Sequence, residues 1–77
     1  MLIGRVSRTV VPPTKHPGLI GTKILMIEFD DGRAPVLATD TVGAGVGSLV
    51  VVAQGSHAVA VAAPQVPTDT VIVGLLE

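Results

Sequence analysis

DTVGAGVGSLVVVAQGS, residues 40–56, divides into two halves of opposite character. In the first, residues 40–48, glycines alternate at Gly43, Gly45 and Gly47, which implies unusual backbone angles or a close approach of another backbone. In the second, residues 49–54, Leu-Val-Val-Val-Ala-Gln is apolar and β-branched and reads as a strand that Gly55 ends. A dinucleotide loop would need G-x-G-x-x-G opening a helix, but the glycine required at position 48 is Ser48, and the loop leads into a strand. There is no G-K-[ST] phosphate loop either. The glycines are therefore read as a tight turn or as close subunit packing. Asp40, beside them, is of the type that organises a turn by accepting loop amides.

Upstream, residues 2–11 (LIGRVSRTVV) alternate imperfectly, with Leu2, Val6 and Val10 on one face and Arg5, Ser7 and Thr9 on the other, which predicts a first strand. Pro12 and Pro13 end it, and the segment from Pro12 to Gly21, with three prolines and two glycines, reads as a loop. Residues 23–29 (KILMIEF) predict a second strand, apolar on both faces and so suited to cover on both sides. Asp31-Gly32 is a hairpin signal, followed by a short strand over residues 34–39. Downstream, Ser56 is in position to cap a short helix over residues 57–62, a loop containing proline spans residues 63–68, and a last strand runs over residues 70–76. Five short strands with at most one short helix indicate an all-β fold, a small OB-like barrel, partly open, formed by residues 1–77 as a single domain.

Composition points to association. With 77 residues the chain is expected to bury only about 60% of its unfolded surface, which leaves it marginal alone. It has no cysteine, so disulfides and thiolate metal sites are excluded, and its two histidines, His16 and His57, are far apart. Yet 48% of the residues are hydrophobic and 14% charged, more apolar surface than one small domain hides. Phe29 is the single aromatic residue, and the net charge is −1. Nucleic-acid binding usually needs a basic face with stacking platforms, so this composition argues against it. Gly43 and Gly47 form a G-x-x-x-G pair in a stretch without charges from position 41 to 68, but Ser48, Gln54, His57 and Pro64 interrupt it well short of the ~20 apolar residues of a membrane span. No signal peptide is read at the start, where Arg5 and Arg8 lead into no apolar run, and a cytoplasmic location is expected.

No catalytic, metal or cofactor set emerges. Asp40-Thr41 is followed by Val42, so the Asp-Thr-Gly of aspartic proteases is incomplete. Ser56 and His57 are sequence neighbours, which seldom face each other productively, and there is no G-x-S-x-G elbow. Asp30 and Asp31 make a charged turn without a cation cage around it.

Asp40-Thr41-Val42-Gly43-Ala44-Gly45, followed by Val50-Val51-Val52-Ala53-Gln54-Gly55-Ser56, resembles the signature of the EutN/CcmL family of bacterial microcompartment vertex proteins. The resemblance extends along the chain. It takes in Gly4 to Val11 with Thr14-Lys15-His16 after it, Leu19-Ile20-Gly21-Thr22-Lys23 with Leu25, and Pro67-Thr68-Asp69 with Val71 to Gly74. It departs at His57-Ala58-Val59, where members often carry an Ala-Arg pair after Gly-Ser, and at Leu49, where an aromatic is usual. The resemblance implies an OB-like barrel, a cyclic homopentamer, a place at the vertices of a shell and hexagonal shell proteins as partners. It implies no enzyme activity, cofactor, nucleic acid or membrane. The glycines 43, 45, 47 and 55, with Asp40 and Ser56, are then candidates for organising loops or meeting the next subunit, and Ser56 with His57 for lining a central opening.

The residues leave an alternative open. An OB-like module for nucleic acid or a small ligand would use Arg5, Arg8, Lys15, Lys23 and Arg33 in salt-sensitive binding.

Overall fold

The computed structural model describes residues 1–63 and 66–77, so Pro64 and Gln65 of the expected 63–68 loop lie outside the described residues. Its elements are β1 (Leu2–Val10), β2 (Ile24–Glu28), β3 (Val36–Asp40), β4 (Leu49–Gln54), α1 (Ser56–Val61) and β5 (Thr70–Leu75). The strands close into a barrel in the order β1-β2-β3-β5-β4, with β4 returning to β1. The sequence suggests a partly open barrel; the closure comes from a short parallel pairing of β3 with β5, Thr39 opposite Val71 and Asp40 opposite Ile72. All other pairings are antiparallel. Every strand therefore has two neighbours, and the barrel offers few free strand edges.

Aliphatic side chains fill the interior. Val6, Leu25, Ile27, Val50, Val52 and Ile72 are fully buried, with Ala38 and Ala44 among them. On the outside of β4 and β5, α1 lays Ala58 against Ala53 and Val71 in a second small cluster. Gly4 belongs to the same packing. A Cβ there would press into the Ile27 side chain and lie 3.1 Å from the Glu28 carbonyl oxygen. Gly4→Ala is expected to cost about 1–3 kcal/mol by overpacking. Urea unfolding measures this, and a loss below about 0.5 kcal/mol, the scale of an ordinary surface substitution, would show that the site relaxes freely.

Three local features differ from the expectations. First, β1 carries a bulge. Val6 lies opposite Ile27 but Arg8 opposite Met26, so Ser7 is an extra residue. Val10 thus aligns with Ile24, and not on the core face with Val6 as strict alternation implies. Second, Pro17–Leu19 form a 3₁₀ turn, capped by His16, whose Nδ1 accepts from the Gly18 N–H at 2.9 Å. Third, Ser56 does not cap α1. It is the first helical residue, and the cap position is Gly55 at φ 69°, with no side-chain cap hydrogen bond.

The Asp31-Gly32 turn is held by Asp31, which accepts from the backbone N–H of Arg33 at 3.2 Å and from its Nε at 2.8 Å. The Arg33 guanidinium in turn lies 5.3 Å from the centre of the Phe29 ring. The Arg33 backbone N–H, followed by its guanidinium, lowers the Asp31 carboxyl below its ordinary value. A carboxylate depressed in the folded state stabilises above its unfolded pKa and loses that contribution as pH falls through the folded one. In an NMR titration Asp31 should therefore titrate below the ordinary aspartate value. The group is fully exposed, so the effect on unfolding is small.

Candidate assembly surfaces

The loop that joins β3 to β4 is built around one carboxylate. The Asp40 side chain is only 4% exposed. Its Oδ1 accepts from the Val42 N–H at 3.1 Å, and its Oδ2 from the Gly43 and Ala44 N–H groups, each at 3.0 Å. Lys23 Nζ lies 3.3 Å from the same Oδ2 and also donates to the Ala44 carbonyl oxygen. Three amides converging on one carboxylate, with an ammonium beside its Oδ2, make a closed Asx-type turn. The turn sets Ala44, 1% exposed, into the core, packs Val42 against it and leaves Gly43, Gly45, Val46 and Gly47 exposed. Thr41 ties the loop to β5 by donating to the Ile72 carbonyl at 2.7 Å. The far end returns to β1, where Gly47 donates to the Val6 carbonyl and Val6 to the Ser48 carbonyl.

The three loop glycines separate by cause. Gly43 and Gly47 have φ of 81° and 89°, a region that side chains disfavour. Gly45 has no such angle, and a Cβ on it would meet nothing within 4 Å among the described residues. Its N–H donates to Ser48 Oγ at 3.1 Å. Among the described residues nothing requires glycine there.

Gly55, Ser56 and His57 lie together at the start of α1, all exposed. The six residues of β4, about 20 Å at ~3.3 Å per residue, separate them from the glycine loop. The two groups of candidate residues thus sit at opposite ends of one strand. Sequence reasoning missed Lys23 as the partner of Asp40; its place just before β2 carries no local signal, because the contact is made by tertiary packing.

The outer wall bears two apolar faces. Leu25 and Ile27 point inward, so Ile24 and Met26 point outward, in rows with Val10 and Thr39 and with Arg8 and Leu37. Around β1 and β4, Val50 and Val52 point inward, so Leu49 and Val51 point outward beside Arg5 and Ile3. Leu37 is 50% exposed and Ile3 62%. The faces are centred on different strand pairs, β2–β3 and β1–β4, and adjoin along β1. Two distinct apolar faces are what a head-to-tail contact between copies needs.

Residues 1–77, the whole chain, match the family described as ethanolamine utilisation protein EutN/carboxysome. The chain belongs to the EutN/CcmL family. Among relatives of this EutN/CcmL chain, the bacterial microcompartment shell vertex protein PduN of Salmonella typhimurium is 38% identical, over 100% of this chain and 96% of that protein. The carboxysome shell vertex protein CcmL of Gloeobacter violaceus is 37% identical, over 100% of this chain and 83% of that one. The solved structure of GrpN, a pentameric microcompartment shell protein from Rhodospirillum rubrum, superposes with a TM-score of 0.85 at 35% identity, covering 100% of this chain and 94% of that one. The EutN/CcmL barrel is thus shared end to end with proteins named for a place in a shell.

Three of the five Lys and Arg residues that a nucleic-acid surface would use face carboxylates inside the subunit: Arg5 with Glu77, Lys23 with Asp40, and Arg33 with Asp31. Among the described residues no group of three or more His, Cys, Asp or Glu side chains is placed to hold a metal ion.

Proposed function

We propose that this chain is a structural subunit that assembles into a cyclic homopentamer and closes the vertices of a bacterial microcompartment shell. The observation that carries the reading is the end-to-end superposition on a pentameric shell protein at 35% identity. The two apolar faces supply the physical rationale. A ring covers both on every copy, and a contact of about 800 Å² per partner is enough for a stable complex. Its role is geometric: flat hexagonal tiles cannot close a polyhedron, and five-fold units at the corners supply the curvature. Hexagonal shell proteins are its neighbours in the shell, and the chain has no catalytic task and no nucleic-acid or membrane partner. The candidate residues fit this role: the Asp40 loop presents Gly45 and Val46 outward, and Ser56 and His57 stand free at the other end of β4.

Native mass spectrometry of the purified protein tests the proposal. The expected species contains five chains of 7.8 kDa. A folded monomer at micromolar concentration would overturn it.

A further inference from the structure

Three ion pairs within the subunit leave Arg8, Glu28 and Asp30 on the outer wall without an ionic partner among the described residues. Arg8 is exposed and, among the described residues, has no ion pair or side-chain hydrogen bond. The bulge at Ser7 determines where it points. Without the extra residue Arg8 would align with Leu25, which faces the core; with it, Arg8 aligns with Met26 and stands on the outer apolar face, in a row that continues across Met26 to Leu37. Bulges commonly re-aim a side chain in this way. Further along the β1–β2 ladder, where Glu28 lies opposite Arg5, Glu28 and Asp30 line a concavity of about 130 Å³ together with Ile3 and Leu49. Arg5 also lines it and is the cross-strand neighbour of Glu28, but its guanidinium is drawn away to Glu77 and to the Gly47 carbonyl, both at 2.7 Å. Among the described residues Glu28 and Asp30 are left without a cationic partner.

We infer that Arg8 of one copy enters the Glu28–Asp30 concavity of the next, so that the β2–β3 face of each subunit packs on the β1–β4 face of its neighbour. This rests on the ring reading and names the contact that builds it. An arginine in an apolar face is a common centre of a protein interface. Once covered, it requires a carboxylate, because a buried unpaired charge is strongly unfavourable.

The test uses Arg8→Glu, the double variant Glu28→Arg with Asp30→Arg, and all three changes combined, each studied by native mass spectrometry and sedimentation across a dilution series. Circular dichroism checks that the barrel persists, which is expected because all three side chains are exposed. Arg8→Glu and the double variant should each weaken the ring by on the order of 100-fold in the concentration at which it dissociates. The combined variant should recover most of that loss. Rings of Arg8→Glu as stable as the wild type, or a combined variant no better than Arg8→Glu, would overturn the contact. Those outcomes leave the pentamer itself standing, since it fails only if the unmodified chain does not form a ring of five.

Discussion

Asp40→Ala is expected to destabilise the subunit by about 3 kcal/mol, the largest loss of any single polar substitution in the chain. The carboxylate is almost wholly buried and holds three N–H groups within 3.1 Å. Alanine would leave those amides without an acceptor, and hydrogen bonds to charged groups are worth ~1.5–3 kcal/mol each before the loop relaxes toward water. Lys23 loses its counter-ion too, but it is 42% exposed and recovers solvation. Lys23→Met should therefore cost under about 1 kcal/mol, which separates the amide contribution from the ionic one. For a domain of this size, 3 kcal/mol corresponds to a fall in melting temperature of roughly 12–24 °C. Asp40→Asn keeps one acceptor oxygen and should fall between the two. The loop is tied to β1 at Val6 and to β5 at Ile72, so its release loosens two strands of the wall as well. Thermal unfolding of the three variants side by side decides it. Asp40→Ala within about 0.5 kcal/mol of the wild type would mean that solvent replaces the carboxylate without loss.

Local periodicity made most of the fold legible. Leu49–Gln54 is a strand at the bounds that its β-branched run implies, and the helix over residues 57–62 is present one residue earlier. The strands over 2–11, 23–29 and 70–76 shorten at their ends but keep their places. The non-local features were not legible. The parallel pairing that closes the barrel joins Thr39 to Val71, and no spacing in the chain announces it. The bulge at Ser7 has no glycine to mark it, so strict alternation put Val10 on the core face with Val6. Nor could composition tell which charges meet. Lys23, Arg5 and Arg33 read as free cations until folding placed Asp40, Glu77 and Asp31 beside them. The three loop glycines looked alike in sequence, and only the backbone angles divide them.

That division makes Gly45→Val the sharpest separation of folding from assembly. At Gly43 and Gly47 a valine would have to adopt a positive φ, which strains the subunit whether or not it meets a partner. Those substitutions confound the two effects. At Gly45 the backbone angle is ordinary and the space is open, so the subunit alone should accept valine with a change below about 0.5 kcal/mol. If the loop meets the neighbouring copy in the ring, the added side chain occupies the space that the neighbour needs. A buried clash of that kind typically costs ~1–3 kcal/mol per contact. A ring of five repeats it at every contact, so the penalty acts five times on closure. The expected result is a folded chain, with circular dichroism and unfolding close to the wild type, that no longer gives the five-chain species at micromolar concentration. Gly45→Ala should lie between the two, because one methyl can be absorbed by small shifts. An intact ring with valine at position 45 would place this loop away from the subunit boundary, and the glycine would then have no role in either the subunit or the ring.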